Sequence, residues 1–240
     1  MIARAVAVPL LLRMDPVAST DVNSVAALID HTLLKPDATE AAIRRLCAEA
    51  RLNLFAAVCV NPYWVQLAVA ELTGSGVSVA TVVGFPLGAN ETSIKVAEAE
   101  RAALAGAREI DMVLNVGELV GGNVRAVGED IRAVTDAAHR SGAIVKVILE
   151  TALLTDSQKR EACGLAQEAG VEFVKTSTGF ASGGATVADV QLMRSVVGPA
   201  MGVKASGGIR TWEVCRAMMA AGANRIGTSA GVAILREMQA

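Results

Sequence analysis

Residues 144–176 read IVKVILETALLTDSQKREACGLAQEAGVEFVKT. The run 144–150 is apolar except for Lys146 and Glu150, too short for a helix and rich in β-branched residues, so it reads as a buried strand. Asp156 to Ala169 has helical texture, Gly170 closes it, and Val171 to Thr176 is a second apolar run. Strand, helix and strand in so short a span make one crossover unit with parallel strands.

The same rhythm extends in both directions. Upstream strands are expected at 29–34, 54–60, 77–83 and 109–114, with helices at 38–50, 63–72, 91–105 and, after a glycine-rich loop, 124–139. Downstream strands follow at 201–205 and 224–227, with helices at 187–196, 211–221 and 230–238. Glycines at 106, 142, 170 and 222 stand where helices end, as left-handed caps require. Eight such units in ~220 residues predict a (β/α)8 TIM barrel, for which about 250 residues is typical. The runner-up, an open doubly wound sheet, would carry a G-x-G-x-x-G after the first strand, and none is there. Thr20 or Asp21 caps a leading helix. The expected organisation is an N-terminal extension over 1–20 and one barrel domain over 21–240.

Composition narrows the function classes. The 240 residues are 52% apolar, which argues against disorder, and the chain needs no disulfide or metal staples at this size. A net charge of -2 gives no electrostatic reason to hold nucleic acid. No stretch approaches the ~20 apolar residues that span a bilayer. Cys47, Cys59, Cys163 and Cys215 form no C-x-x-C pair and read as free thiols, and two histidines are too few for a zinc site. No metal or cofactor is expected. The apolar run 5–12 is broken by Pro9 and followed by Arg13 and Asp15, with no small-x-small cleavage site, so a cytoplasmic location is expected.

In this architecture the chemistry stands at the C-terminal ends of strands. Lys146, Lys175 and Lys204 are charges inside strands otherwise built from Val, Ile and Phe. One buried lysine is most simply paired with a core carboxylate. Two at the ends of neighbouring strands, ~4.8 Å apart, would each disfavour the other's proton, and a neutral amine is what attacks a carbonyl. Asp111, ending the fourth strand, is the expected proton carrier or partner. Lys146 and Glu150 are assigned to the interior charge network. Cys59 with His31 could form a thiol–imidazole dyad, but core packing is the simpler reading of Cys59. The turns S-G-G-I-R-T (206–211) and I-G-T-S-A-G (226–231) follow the seventh and eighth strands, where such barrels hold phosphate, and Thr178-Gly179 extends the cradle.

These segments resemble the deoxyribose-phosphate aldolase family. The matching stretches are IDHTLLKP (29–36), VCVNP (58–62), VVGFPLG (82–88), EIDMVLNVG (109–117), VKVILET (145–151), FVKTSTGF (173–180), VKASGGIR (203–210) and RIGTS (225–229). The resemblance implies a class I aldolase on the same barrel. It cleaves 2-deoxy-D-ribose 5-phosphate reversibly to D-glyceraldehyde 3-phosphate and acetaldehyde, in deoxynucleoside catabolism and without a metal. By that resemblance Lys175 forms the Schiff base, Lys204 tunes it and Asp111 relays protons. Gly179, Gly207, Gly208, Gly227 and Ser229 fall where the family binds phosphate, and Asp30, Thr32 and Thr178 line or support the pocket. A homo-oligomer, dimer or tetramer, is expected, with Trp64 and Trp212 as candidate interface residues. Some members end in a tail tyrosine; this chain ends REMQA, and its one tyrosine is Tyr63. Two other readings stay open: another Schiff-base aldolase or transaldolase, and a sugar-phosphate-binding barrel without chemistry.

Overall fold

The computed structural model describes residues 21–240; the extension expected over 1–20 lies outside them. The strands β1 (Ile29–Leu33), β2 (Ala57–Val60), β3 (Ser78–Val83), β4 (Glu109–Val113), β5 (Ile144–Ile148), β6 (Phe173–Lys175), β7 (Gly202–Ser206) and β8 (Arg225–Thr228) close on themselves in sequence order. Every neighbouring pair is parallel, including the β1–β8 seam. The ring is the (β/α)8 barrel that the rhythm of the sequence predicts.

Helices α1 (Val22–Ala26), α2 (Glu40–Asn53), α3 (Val65–Leu72), α4 (Thr92–Leu104), α5 (Val116–Val120), α6 (Val124–Arg140), α7 (Asp156–Glu168), α8 (Val187–Val197), α9 (Trp212–Ala220) and α10 (Gly231–Met238) cover the outside. The leading helix α1 is capped by the Asp21 side chain. In α2, Ile43, Leu46, Cys47 and Ala50 are buried at helical spacing against the strands. Thr155 and Gln158 form a reciprocal capping box that starts α7. None of the helices among the described residues is long and apolar enough to cross a membrane.

Three boundaries differ from the sequence reading, each for a local reason. The strand expected from Leu54 begins at Ala57, because α2 runs on to Asn53 and Leu54, at φ +54°, is its left-handed cap. The stretch 115–123, read as a glycine-rich loop, contains α5: the Asn115 side chain accepts from Glu118 N–H, and Leu119 is buried beneath the turn. The helix expected from Tyr63 opens with a 3-10 turn, Pro62–Trp64, before α3. Trp64 and Trp212 are half-buried, packed against the core.

Candidate active site

Strand register assembles the site. Lys175 pairs with Lys204 across β6 and β7, Asp111 with Lys146 across β4 and β5, and Lys204 with Arg225 across β7 and β8. The inward side chains form one ion cluster along the barrel axis. Asp111 Oδ2 accepts from Lys175 Nζ at 2.8 Å and from Lys204 Nζ at 2.7 Å, while its Oδ1 accepts from Lys146 Nζ at 2.7 Å. Lys204 also donates to Asp30 Oδ2. Asp30 Oδ1 receives Arg225 at 2.7 Å, and Glu109 receives Lys146 at 2.5 Å and Arg225 at 3.2 Å. The three carboxylates come from β1 and β4, and the four cations from β5, β6, β7 and β8.

Pairing is uneven. Lys146 lies within 4 Å of three carboxylates, and Lys204 and Arg225 of two each. Among the described residues, Asp111 is the one carboxylate within that distance of Lys175. Burial therefore prevails at Lys175: it holds the ammonium below the ordinary lysine range, with Lys204 adding to the effect and Asp111 opposing it. At Lys204 burial pulls the same way, but Asp111 and Asp30 outweigh it and the group is held above that range. Asp111 itself is pushed up by burial and pulled further down by Lys146, Lys175 and Lys204, ending well below the usual carboxylate range. Neighbouring strands thus hold one lysine above the ordinary range beside another held below it.

A cavity of about 340 Å³ opens above Lys175 at the C-terminal ends of the strands. Thr32, Thr178, Gly179, Gly207, Gly208, Gly227 and Ser229 all line it. Thr178 donates to Glu150 and accepts from Phe180 N–H, which fixes the loop after β6. Gly207 and Gly208 have φ of +92° and +81°, a turn that side chains resist. Gly227 is needed for another reason: it lies within β8, and a Cβ there would stand 3.0 Å from Lys204 Cε and 2.9 Å from Ser206 Cβ. The glycine clears the path of the Lys204 side chain.

The structure redistributes some sequence assignments. Asp30 is fully buried beneath the cavity, held by Lys204 and Arg225, and supports the pocket from below. Glu150 does not join the lysines; at φ +57° it turns to the Thr178 hydroxyl and N–H. His31 faces outward: Nε2 lies 2.7 Å from Glu49 of α2, and the ring packs on Phe55 at 5.1 Å. Cys59 is buried in a small apolar cluster, its thiol pushed up to about 11 first of all by burial, so no thiol–imidazole dyad forms. The four cysteines are free and buried.

Other residues come forward. Lys35 and Arg210 line the mouth and give it positive charge. Arg225 and Glu109 close the lower end of the cluster. Both are the first residue of a strand, next to Arg108 and Asn224, so the rule that singled out the lysines, a charge inside an apolar run, passes over them. Glu109 is two residues from Asp111 on the same strand face. Among the described residues, no three His, Cys, Asp or Glu side chains are placed to hold a metal ion.

A family model described as DeoC/LacD family aldolase matches residues 24–239. The chain is 58% identical over 212 residues to the deoxyribose-phosphate aldolase of Streptococcus sanguinis, a match covering 88% of this chain and 96% of that one. It is also 58% identical over 213 residues to the deoxyribose-phosphate aldolase of Thermococcus gammatolerans, covering 88% and 95%. Among solved structures, the tetrameric deoxyribose phosphate aldolase of Aeropyrum pernix is similar with a TM-score of 0.88 and 34% identity, over 96% of this chain and 97% of that chain.

Proposed function

Because the chain belongs to the DeoC/LacD aldolase family, and is thus a carbon–carbon lyase, we propose that it cleaves 2-deoxy-D-ribose 5-phosphate through a Schiff base on Lys175. The observation that carries this reading is the placement of Lys175: a buried amine with one carboxylate partner, in a cavity that the glycine turns also line. The neutral amine adds to the C1 aldehyde of the open-chain sugar. The resulting carbinolamine loses water to give an iminium. That iminium takes up the electron pair of the C2–C3 bond as the C3 hydroxyl gives up its proton, releasing D-glyceraldehyde 3-phosphate. Protonation of the enamine at C2 and hydrolysis then free acetaldehyde and return the amine.

Asp111 is the relay in these steps. It already bonds both lysines through one oxygen, and a carboxylate kept ionised can receive and return a proton through a water. Lys204 stays an ammonium and disfavours a second positive charge on Lys175. The phosphate is assigned to backbone N–H groups of Gly179, Gly207, Gly208 and Gly227 with the Ser229 hydroxyl, beside the start of α10. Thr32 and Thr178 line the sugar's path, and Asp30 holds Lys204 from below. The same reading places the enzyme in deoxynucleoside catabolism in the cytoplasm, as a dimer or tetramer of identical chains.

Incubation with deoxyribose 5-phosphate, borohydride reduction and mass spectrometry test the assignment. The expected adduct is on Lys175, and Lys175→Ala removes both adduct and cleavage. An adduct on Lys146 or Lys204 overturns it. Acetaldehyde as a product separates this reaction from that of a hexose-phosphate aldolase.

A further inference from the structure

The ion cluster does not end at the catalytic cavity. It continues to the opposite face of the barrel, where Arg225 and Glu109 line a second cavity of about 360 Å³ among Phe173, Glu172 and Asn224. Neither residue lines the C-terminal cavity. Arg225 is 8% exposed, and its guanidinium packs 5.3 Å from the centre of the Phe173 ring while bonding Asp30 and Glu109.

Charge bookkeeping gives the pair a role. With every group ionised, the cluster holds four cations against three carboxylates. One cation is in excess, and it resides at the least paired member, Lys175. We propose that Arg225 is a positioning residue of the aldolase reaction: from the far end of the barrel it keeps the cluster one cation over balance, so that Lys175 is the group that gives up its proton. It does so through Asp30, taking Oδ1 and leaving Oδ2 to Lys204. This inference rests on the assignment of Lys175 as the imine-forming amine.

The groups that face the cluster are few. Asp30 comes from β1, Cys59 from β2, Glu109 and Asp111 from β4, Lys146 from β5, Lys204 from β7 and Arg225 from β8. Cys59 is a neutral thiol at ordinary pH. Lys35 and Arg210 stand at the solvent-facing mouth. Removing Arg225 leaves three cations on three carboxylates, and Lys175 then keeps its proton. Removing the Glu109 charge leaves four cations on two, and Lys175 loses it more easily.

The two substitutions must therefore move the enzyme in opposite directions. The measurement is the rate of cyanoborohydride trapping with acetaldehyde alone, followed against pH, so that the phosphate loops play no part. The midpoint for Arg225→Met is expected to rise by about one pH unit, a loss of about tenfold in amine near neutrality. That for Glu109→Gln is expected to fall. The double variant, with three cations on two carboxylates, returns near the parent, and Arg225→Lys, which keeps the charge, retains the parent midpoint. With deoxyribose 5-phosphate, Arg225→Met is expected to lower kcat far more than it raises KM. Should Arg225→Met lose its fold by circular dichroism, Glu109→Gln and Arg225→Lys decide. Unmoved midpoints, or shifts in the same direction, overturn the role of Arg225 while leaving trapping at Lys175 intact. Absence of any adduct in the parent overturns the imine assignment and this inference with it.

Discussion

Asp111 answers to three ammonium groups at once, and His31 to none of them. That contrast supports Asp111, the proton carrier expected from the sequence, over the one acid–base histidine near the first strand. Asp111→Asn keeps the shape of the side chain but removes its charge, so turnover is expected to fall at least ~100-fold, the range of a lost acid–base group. Its KM is expected to change less, because the glycine turns are untouched. His31→Ala, on the helix-facing side of β1, is expected to retain turnover. Steady-state kinetics of both variants check the pair, and a dead His31→Ala beside a normal Asp111→Asn would reverse the assignment. The lysines were legible because an ammonium in an apolar strand is costly and therefore informative. Arg225 and Glu109 stand at strand starts beside other polar residues, and the two carboxylates that Arg225 pairs with lie 116 and 195 residues away in sequence; pairing across a closed ring has no local pattern.

At the scale of elements, the turn after β7 is the most demanding piece of backbone. Gly208 has φ +81° with no atom within 4 Å of where a Cβ would stand, so conformation and not crowding requires glycine. A side chain there costs ~1–2 kcal/mol in backbone strain. Gly208→Ala is thus expected to lower stability by that amount and, if the turn holds phosphate as proposed, to displace the backbone N–H groups assigned to it. The KM for deoxyribose 5-phosphate should rise more than that for unphosphorylated deoxyribose, and equal effects on both would place the phosphate elsewhere. Strand and helix order was readable throughout, because buried parallel strands are continuous apolar runs and glycines mark helix ends. The short α5 was not. Gly117, Gly121 and Gly122 read as loop, while the cap at Asn115 and the burial of Leu119 decide for a helical turn.

On the scale of the whole molecule, the cluster ties stability to pH. Asp30 and Asp111 both ionise near 3.8 when unpaired; burial alone would raise them, but Lys204, Arg225 and Lys146 around Asp30, and Lys146, Lys175 and Lys204 around Asp111, hold both well below. Between those folded values and 3.8 the unfolded chain binds protons that the folded one refuses. The stabilisation is therefore complete above about pH 5 and is lost as pH falls through the folded values. Denaturant unfolding from pH 7 to pH 2 is expected to show a steep acid limb that Asp30→Asn makes shallower; identical limbs would remove Asp30 from the account. The ring also divides by sign. The strands of the first half of the chain bring only anions to the cluster, and those of the second half only cations. Either half doubled into a symmetric ring would press like charges together in a buried interior. The two halves, opposite in sign, recognise each other, so a chimaera joining halves of two relatives can close only if each side keeps its sign.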